Sequence, residues 1–168
     1  MSPTILIVDD CTDIARIIAR YLEREYRTMT AANGLEARRI LQTTTPDCIV
    51  LDLMMPGMSG WEVCRKIREA VSLAHTGVVM LTGIGESLNE MTSPLYGADA
   101  FLDKPFEFAV LDRLILETIE RRKDTVGRLD GADVEIVHTS AFRRFDSEPG
   151  TDSKSTKRKT QPKKQVEM

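Results

Sequence analysis

The chain has 168 residues, 42% of them hydrophobic but only 5% aromatic, and a net charge of −3, which fits one domain with an aliphatic core. Its three cysteines, Cys11, Cys48 and Cys64, are odd in number and form no Cys-x-x-Cys pair, arguing against a disulfide framework or zinc site and for a reducing compartment. No apolar stretch approaches the roughly 20 residues that cross a bilayer, and no signal precedes the first acids, so a soluble cytoplasmic protein without a membrane partner is expected.

Thr4–Val8 is an apolar run too short for a helix and ended by Asp9 and Asp10, so it reads as a first strand. Ile14, Ile17, Ile18, Tyr21 and Leu22 follow at the spacing of one helical face. Arg27–Ala31 reads as a short strand, Asn33-Gly34 as punctuation, and Leu35, Ile40 and Leu41 as the apolar side of a second helix. Cys48–Leu53 is apolar around Asp52, as a strand covered on both faces should be. Pro56, Gly57 and Gly60 mark a loop. Ser59 followed by Glu62 is a capping-box pattern for a third helix with Trp61, Cys64 and Ile67 inward.

Val78–Leu81 is the fourth apolar run and Ala100–Leu102 a weaker fifth. Between them a fourth helix is expected over 86–97, yet Pro94 and Gly97 interrupt it. Phe108, Leu111, Ile115 and Ile119 give a last amphipathic helix running to about Arg122. Strands alternating with helices predict an α/β fold, a doubly wound five-stranded parallel sheet with five helices. The domain is expected to span 1–122, followed by an extension of unknown structure at 123–146 with a candidate strand at Val134–Val137. A Ser-, Thr-, Pro- and Lys-rich tail at 147–168 is expected to be disordered.

In such folds functional groups lie outside the carboxyl ends of the strands. Asp10, Asp52, Thr82 and Lys104 are separated by 42, 30 and 22 residues, each interval holding about one helix and one strand. They should therefore emerge at one sheet edge. Asp52 ends a buried strand and can act as a nucleophile that forms an aspartyl phosphate. Asp9 and Asp10 repel each other unless a cation neutralises them; their plainer role is to favour the first helix's positive end. With Asp52 and the Met54 backbone carbonyl they make a hard, oxygen-only set suited to Mg2+. Thr82 can donate its hydroxyl to a phosphoryl oxygen, with Gly83 leaving room, and Lys104 supplies a point charge. Whether the Lys104–Pro105 bond is cis is left open by the sequence.

LeuAspLeuMetMetProGlyMetSerGlyTrpGlu at 51–62 and AspAlaPheLeuAspLysProPhe at 99–106 resemble the signatures of the receiver domain of two-component response regulators, and the resemblance extends over about residues 3–122. It implies the flavodoxin-like receiver fold, with Asp52 as phosphoacceptor for a sensor histidine kinase or phosphotransfer protein. It further implies Asp10 as a direct Mg2+ ligand, Asp9 as a ligand through water, and the Met54 carbonyl as a third donor. Thr82 and Phe101 would be the switch residues, and Lys104 would bind the phosphate. Fast-hydrolysing members tend to be polar where this chain has Met54 and Ile84, so slow self-dephosphorylation is expected.

About 46 residues remain after Arg122, without the apolar periodicity of an effector domain. The resemblance is therefore to a stand-alone, chemotaxis-regulator-like receiver, a signalling module and not an enzyme, whose output is binding to a downstream protein target. A second reading uses the basic tail, Lys154, Lys157, Arg158, Lys159, Lys163 and Lys164, as a nucleic-acid or acidic-surface binder. A third, an aspartyl phosphatase of the haloacid dehalogenase type, requires Asp-x-Asp after the first strand. Here the acids are adjacent and Cys11 follows.

Overall fold

Each of the five apolar runs forms a strand in a computed structural model that describes residues 1–83 and 97–127. They are β1 (Thr4–Val8), β2 (Arg27–Ala31), β3 (Cys48–Asp52), β4 (Gly77–Thr82) and β5 (Ala100–Asp103). All pairs are parallel, in the order β2-β1-β3-β4-β5. The helices described are α1 (Thr12–Leu22), α2 (Gly34–Leu41), α3 (Gly60–Glu69) and α4 (Phe108–Gly127), with a 3-10 turn at Val71–Leu73. The expected helix over 86–97, with Ile84, Pro94 and Tyr96, falls almost wholly in 84–96, outside the described residues. So do the candidate strand at Val134–Val137 and the basic tail.

Alternation along the strands divides the core into two layers. Leu6, Val8, Ile49, Leu51, Val78 and Met80 face Ala37, Leu41, Val63, Cys64 and Ile67 of α2 and α3. Ile5, Ile7, Val50, Val79 and Leu81 face Ala15, Ile18, Leu22, Leu111, Ile115 and Ile119 of α1 and α4. Every residue of β3 and β4 is buried, as central strands between two helical layers require.

Several sequence expectations are corrected by the packing. Ile17 is 57% exposed and Leu35 48%, although both belong to apolar helical patterns. The face of α1 that meets the sheet is instead centred on Ala15, Ile18, Ala19 and Leu22, because small alanines allow close approach. In α3, Val63 is buried alongside Cys64 and Ile67, while Trp61 is only partly covered. Gly60 is the first residue of α3 instead of a loop residue, and the last helix continues five residues past Arg122.

Local chemistry fixes where α2 and α3 start. Asn33 accepts the Glu36 amide at 2.9 Å. At α3 the full capping box is present: Ser59 Oγ accepts the Glu62 amide at 3.4 Å, and Glu62 accepts the Ser59 amide at 2.8 Å. These hydrogen bonds hold the Glu62 carboxyl below the usual carboxylate range.

At the starting edge of the sheet, Asp99 ties four elements together. Its carboxylate accepts from Arg68 of α3 at 2.7 Å, from Arg122 of α4 at 2.6 Å, and from the Val78 amide of β4 at 2.8 Å. Arg68 also donates to the carbonyls of Gly97 and Thr76, at 2.7 and 2.8 Å. Burial pulls the Arg68 guanidinium below its usual range, with Asp99 opposing that shift. Removing one member of a largely buried ion pair leaves uncompensated charge. Asp99→Ala is accordingly expected to lower the unfolding free energy by roughly 3 kcal/mol in urea titrations; a loss below about 1 kcal/mol would mark the cluster as solvent-screened.

Candidate functional site

The strand order reverses direction between β1 and β3: the connection from β1 leads outward to β2, and the next crosses back to β3. A crevice outside the strand ends is expected at that switch point. The register makes the crevice acidic. Val8 pairs with Leu51, so Asp9 and Asp52 come next, side by side on adjacent strands. Thr82 pairs with Asp103, so Lys104 follows on the far side of β4. Four sequence-predicted residues thus meet at one edge because their apolar runs end at the same level.

Asp9 and Asp52 are 1% and 6% exposed, whereas Asp10 is open to solvent. One carboxylate oxygen from each of Asp9, Asp10 and Asp52 lies within 4.8 Å of the others. Lys104 reaches in from β5, its Nζ donating to Asp9 Oδ2 at 3.0 Å and to Asp52 Oδ1 at 3.1 Å. Its backbone amide donates to the Thr82 carbonyl at 2.7 Å, and the Lys104–Pro105 bond is cis. Thr82 is fully buried, and a methyl group added at Gly83 would meet no described residue within 4 Å. Met54 is 66% exposed at the rim. Phe101 is partly buried, with its ring 5.7 Å from that of Trp61.

Two positioning contacts were not anticipated from the sequence. Asp9 Oδ1 accepts the Cys11 amide at 2.9 Å, an Asx-type turn that fixes the carboxylate where β1 ends. Cys11, not either aspartate, is the residue preceding α1, and its side chain makes no cap. The Asx turn had a legible signal, an Asp three residues before a helix start. The other is the Gly60 amide, which donates to the Leu53 carbonyl at 2.9 Å just after β3, and no spacing in the sequence marks it.

One ammonium shared among three acids leaves an uneven balance. Burial pushes the Asp52 carboxyl up, Lys104 pulls it down by hydrogen bond and charge, and Asp9 and Asp10 push it up again; the net shift is upward. Burial pulls Lys104 down, but its hydrogen bonds to Asp9 and Asp52 and their charges raise it overall. The two directions are consistent because Lys104 draws on two carboxylates while each carboxylate draws on half a lysine. The site is short of positive charge. Its hard oxygen donors fit a divalent cation such as Mg2+.

Comparisons with known proteins agree with this geometry. The family model described as the response regulator receiver domain matches residues 5–116. The transcriptional regulatory protein SrrA of Staphylococcus aureus (strain NCTC 8325 / PS 47) is 43% identical over 107 residues, which cover 63% of this chain and 43% of that protein. The chain therefore spans under half the length of the curated relatives it matches. Among solved structures, the Vibrio cholerae chemotaxis protein CheY4 is 30% identical with a TM-score of 0.63, covering 72% of this chain and 98% of its own. The signal receiver domain of a signal transduction histidine kinase from Syntrophus aciditrophicus is 32% identical with a TM-score of 0.64, covering 80% and 100%.

A carboxyl raised in the folded state from 3.8 favours folding more when protonated, so Asp52's contribution improves as pH falls from neutrality through its raised value towards 3.8. Asp52→Asn is expected to raise the thermal midpoint at neutral pH without divalent cation, measured by scanning calorimetry. It should also flatten that pH dependence. A midpoint lowered by the substitution would show that Lys104 already outweighs burial and repulsion.

Proposed function

The chain belongs to the response regulator receiver domain family, and from that premise we propose that Asp52 accepts the phosphoryl group. The observation that carries this reading is the bridging of Asp9 and Asp52 by one Lys104 ammonium, with Asp10 close enough to share a cation. Asp9, Asp10, Asp52 and the Met54 backbone carbonyl would hold Mg2+, which when bound supplies the positive charge that the equatorial phosphoryl oxygens need. Thr82, Lys104 and Phe101 complete the set as phosphate-binding and switch residues.

In this mechanism an Asp52 carboxylate oxygen attacks phosphorus in line with the imidazole nitrogen of a phosphohistidine on the donor. A P–O bond forms, the P–N bond breaks, and the electron pair returns to the ring. Lys104, already poised between the acids, steadies the oxygens of the group in transfer. The product adds roughly −1.5 to −2 charge at the sheet edge. Thr82 turns to bond it from β4 and Phe101 fills the space vacated, so the surface around β5 changes and a partner's affinity with it. The donor is a sensor histidine kinase or phosphotransfer protein and the recipient of the signal a downstream protein, in the cytoplasm. No helix among the described residues is long and apolar enough to cross a membrane. We read the domain as a phosphoacceptor and not as an enzyme that turns over a substrate. The nucleic-acid reading gains no observation, since the basic tail lies outside the described residues.

Incubation with acetyl phosphate and Mg2+ is expected to give a phosphate adduct by intact mass, lost in Asp52→Ala and without Mg2+. An adduct that persists in Asp52→Ala would place the acceptor elsewhere. The exposed, apolar Met54 side chain cannot orient an attacking water, so the adduct should decay over minutes or longer. Met54→Asn should shorten its lifetime, by roughly tenfold if about 1.4 kcal/mol of barrier depends on that water. A wild-type half-life of seconds would refute slow hydrolysis.

A further inference from the structure

The first turn of α3 lies against the backbone of the acceptor strand with no room to spare. A Cβ at Gly60 would fall 2.4 Å from the Asp52 carbonyl oxygen and 2.8 Å from Leu53 Cα, both backbone atoms that cannot swing aside. The Gly60 amide donates to the Leu53 carbonyl at 2.9 Å, and the Leu53 amide donates to Leu81 of β4 at 2.9 Å. Leu53 is 2% exposed. The loop between them, which carries Met54, is therefore tied at both ends: to β4 through Leu53 at its start, and to Leu53 itself through Gly60 at its finish. The capping box at Ser59 and Glu62 holds the helix start in place. The next residue, Trp61, packs on Phe101.

We propose that Gly60 is a positioning residue for the acceptor site: by letting the start of α3 close onto Asp52 and Leu53, it sets where the Asp52 carboxylate and the Met54 carbonyl stand relative to each other. This rests on the reading of Asp52, Met54 and the paired acids as the acceptor and cation site. Any side chain at position 60 drives α3 and the acceptor strand apart. A divalent cation loses affinity when one donor of its set moves, and in-line transfer loses rate when the nucleophile is displaced by a fraction of an ångström. A glycine with only a packing role would give a different pattern, lower stability with an unchanged site.

The test is an Mn2+ titration of the full chain, read by the paramagnetic resonance of the free ion, with acetyl phosphate labelling at saturating Mg2+ in parallel. Gly60→Ala is expected to weaken Mn2+ binding at least about tenfold, the equivalent of about 1.4 kcal/mol, and to slow labelling even when Mg2+ saturates. A Gly60→Ala chain that melts cooperatively yet binds Mn2+ and labels like the wild type overturns the proposal. Should that variant not fold, Ser59→Ala with Glu62→Ala takes its place, since it frees the helix start without adding an atom at the crowded point. About threefold weaker binding is expected there, and unchanged binding overturns the proposal. A wild-type chain that binds no Mn2+ at all overturns the reading of the site itself, and is distinguished by failing before any variant is compared.

Discussion

Two carboxylates fixed on adjacent buried strands, with one ammonium between them, are the constraint on which the rest of this molecule turns. Asp9 and Asp52 cannot spread apart, because the pairing of β1 with β3 holds their backbones side by side. Nor can they escape into water, being almost wholly covered. Lys104 must therefore come to them. It does so from the far side of β4, which requires β5 to keep its register although that strand has only four residues, all partly exposed. The amide of Lys104 on the Thr82 carbonyl pins one end of β5, and Asp99 on the Val78 amide pins the other. The strand is a tether under load, held at both ends so that its terminal lysine reaches across the sheet.

The acids and the lysine were legible in the sequence because each follows an apolar run, and where a run of known length stops is where its polar neighbour must sit. The alternation of strand and helix then brought the four stops to one edge. Ile17 and Leu35 were misplaced because apolar periodicity identifies a stripe but not its centre. Ala15 and Ala19 carry too little hydrophobicity to move that centre on paper, yet their small size decides which side of α1 can approach the sheet. The part played by Gly60 could not be read at all. It depends on a backbone-to-backbone distance across the loop between β3 and α3, and sequence gives residue types, not separations. Asp99 was hidden for a related reason. Its partners Arg68 and Arg122 lie 31 and 23 residues away, and nothing in their spacing marks them as one cluster.

The division of labour between the two edges of the sheet follows from charge. At the edge where the strands end, acids outnumber bases and the balance awaits a cation or a phosphoryl group. At the edge where they begin, one acid, Asp99, meets two arginines. The first edge is poised for change and the second resists it. Native stability of a domain is only about 5–15 kcal/mol, so a site with excess like charge is sustained by well-satisfied contacts elsewhere. The all-buried β3 and β4 lie between the two and serve both.

The length of α4 has a further consequence. The helix starts just after the acidic edge, meets Asp99 through Arg122 at the opposite edge, and then continues to Gly127. At 1.5 Å per residue, those last five residues carry the chain roughly 7 Å beyond the pole remote from Asp52. Cargo joined there would ride on a stalk, out of touch with the chemistry, and news of a phosphoryl group could reach it only as a movement of the rod or of the strut that braces it.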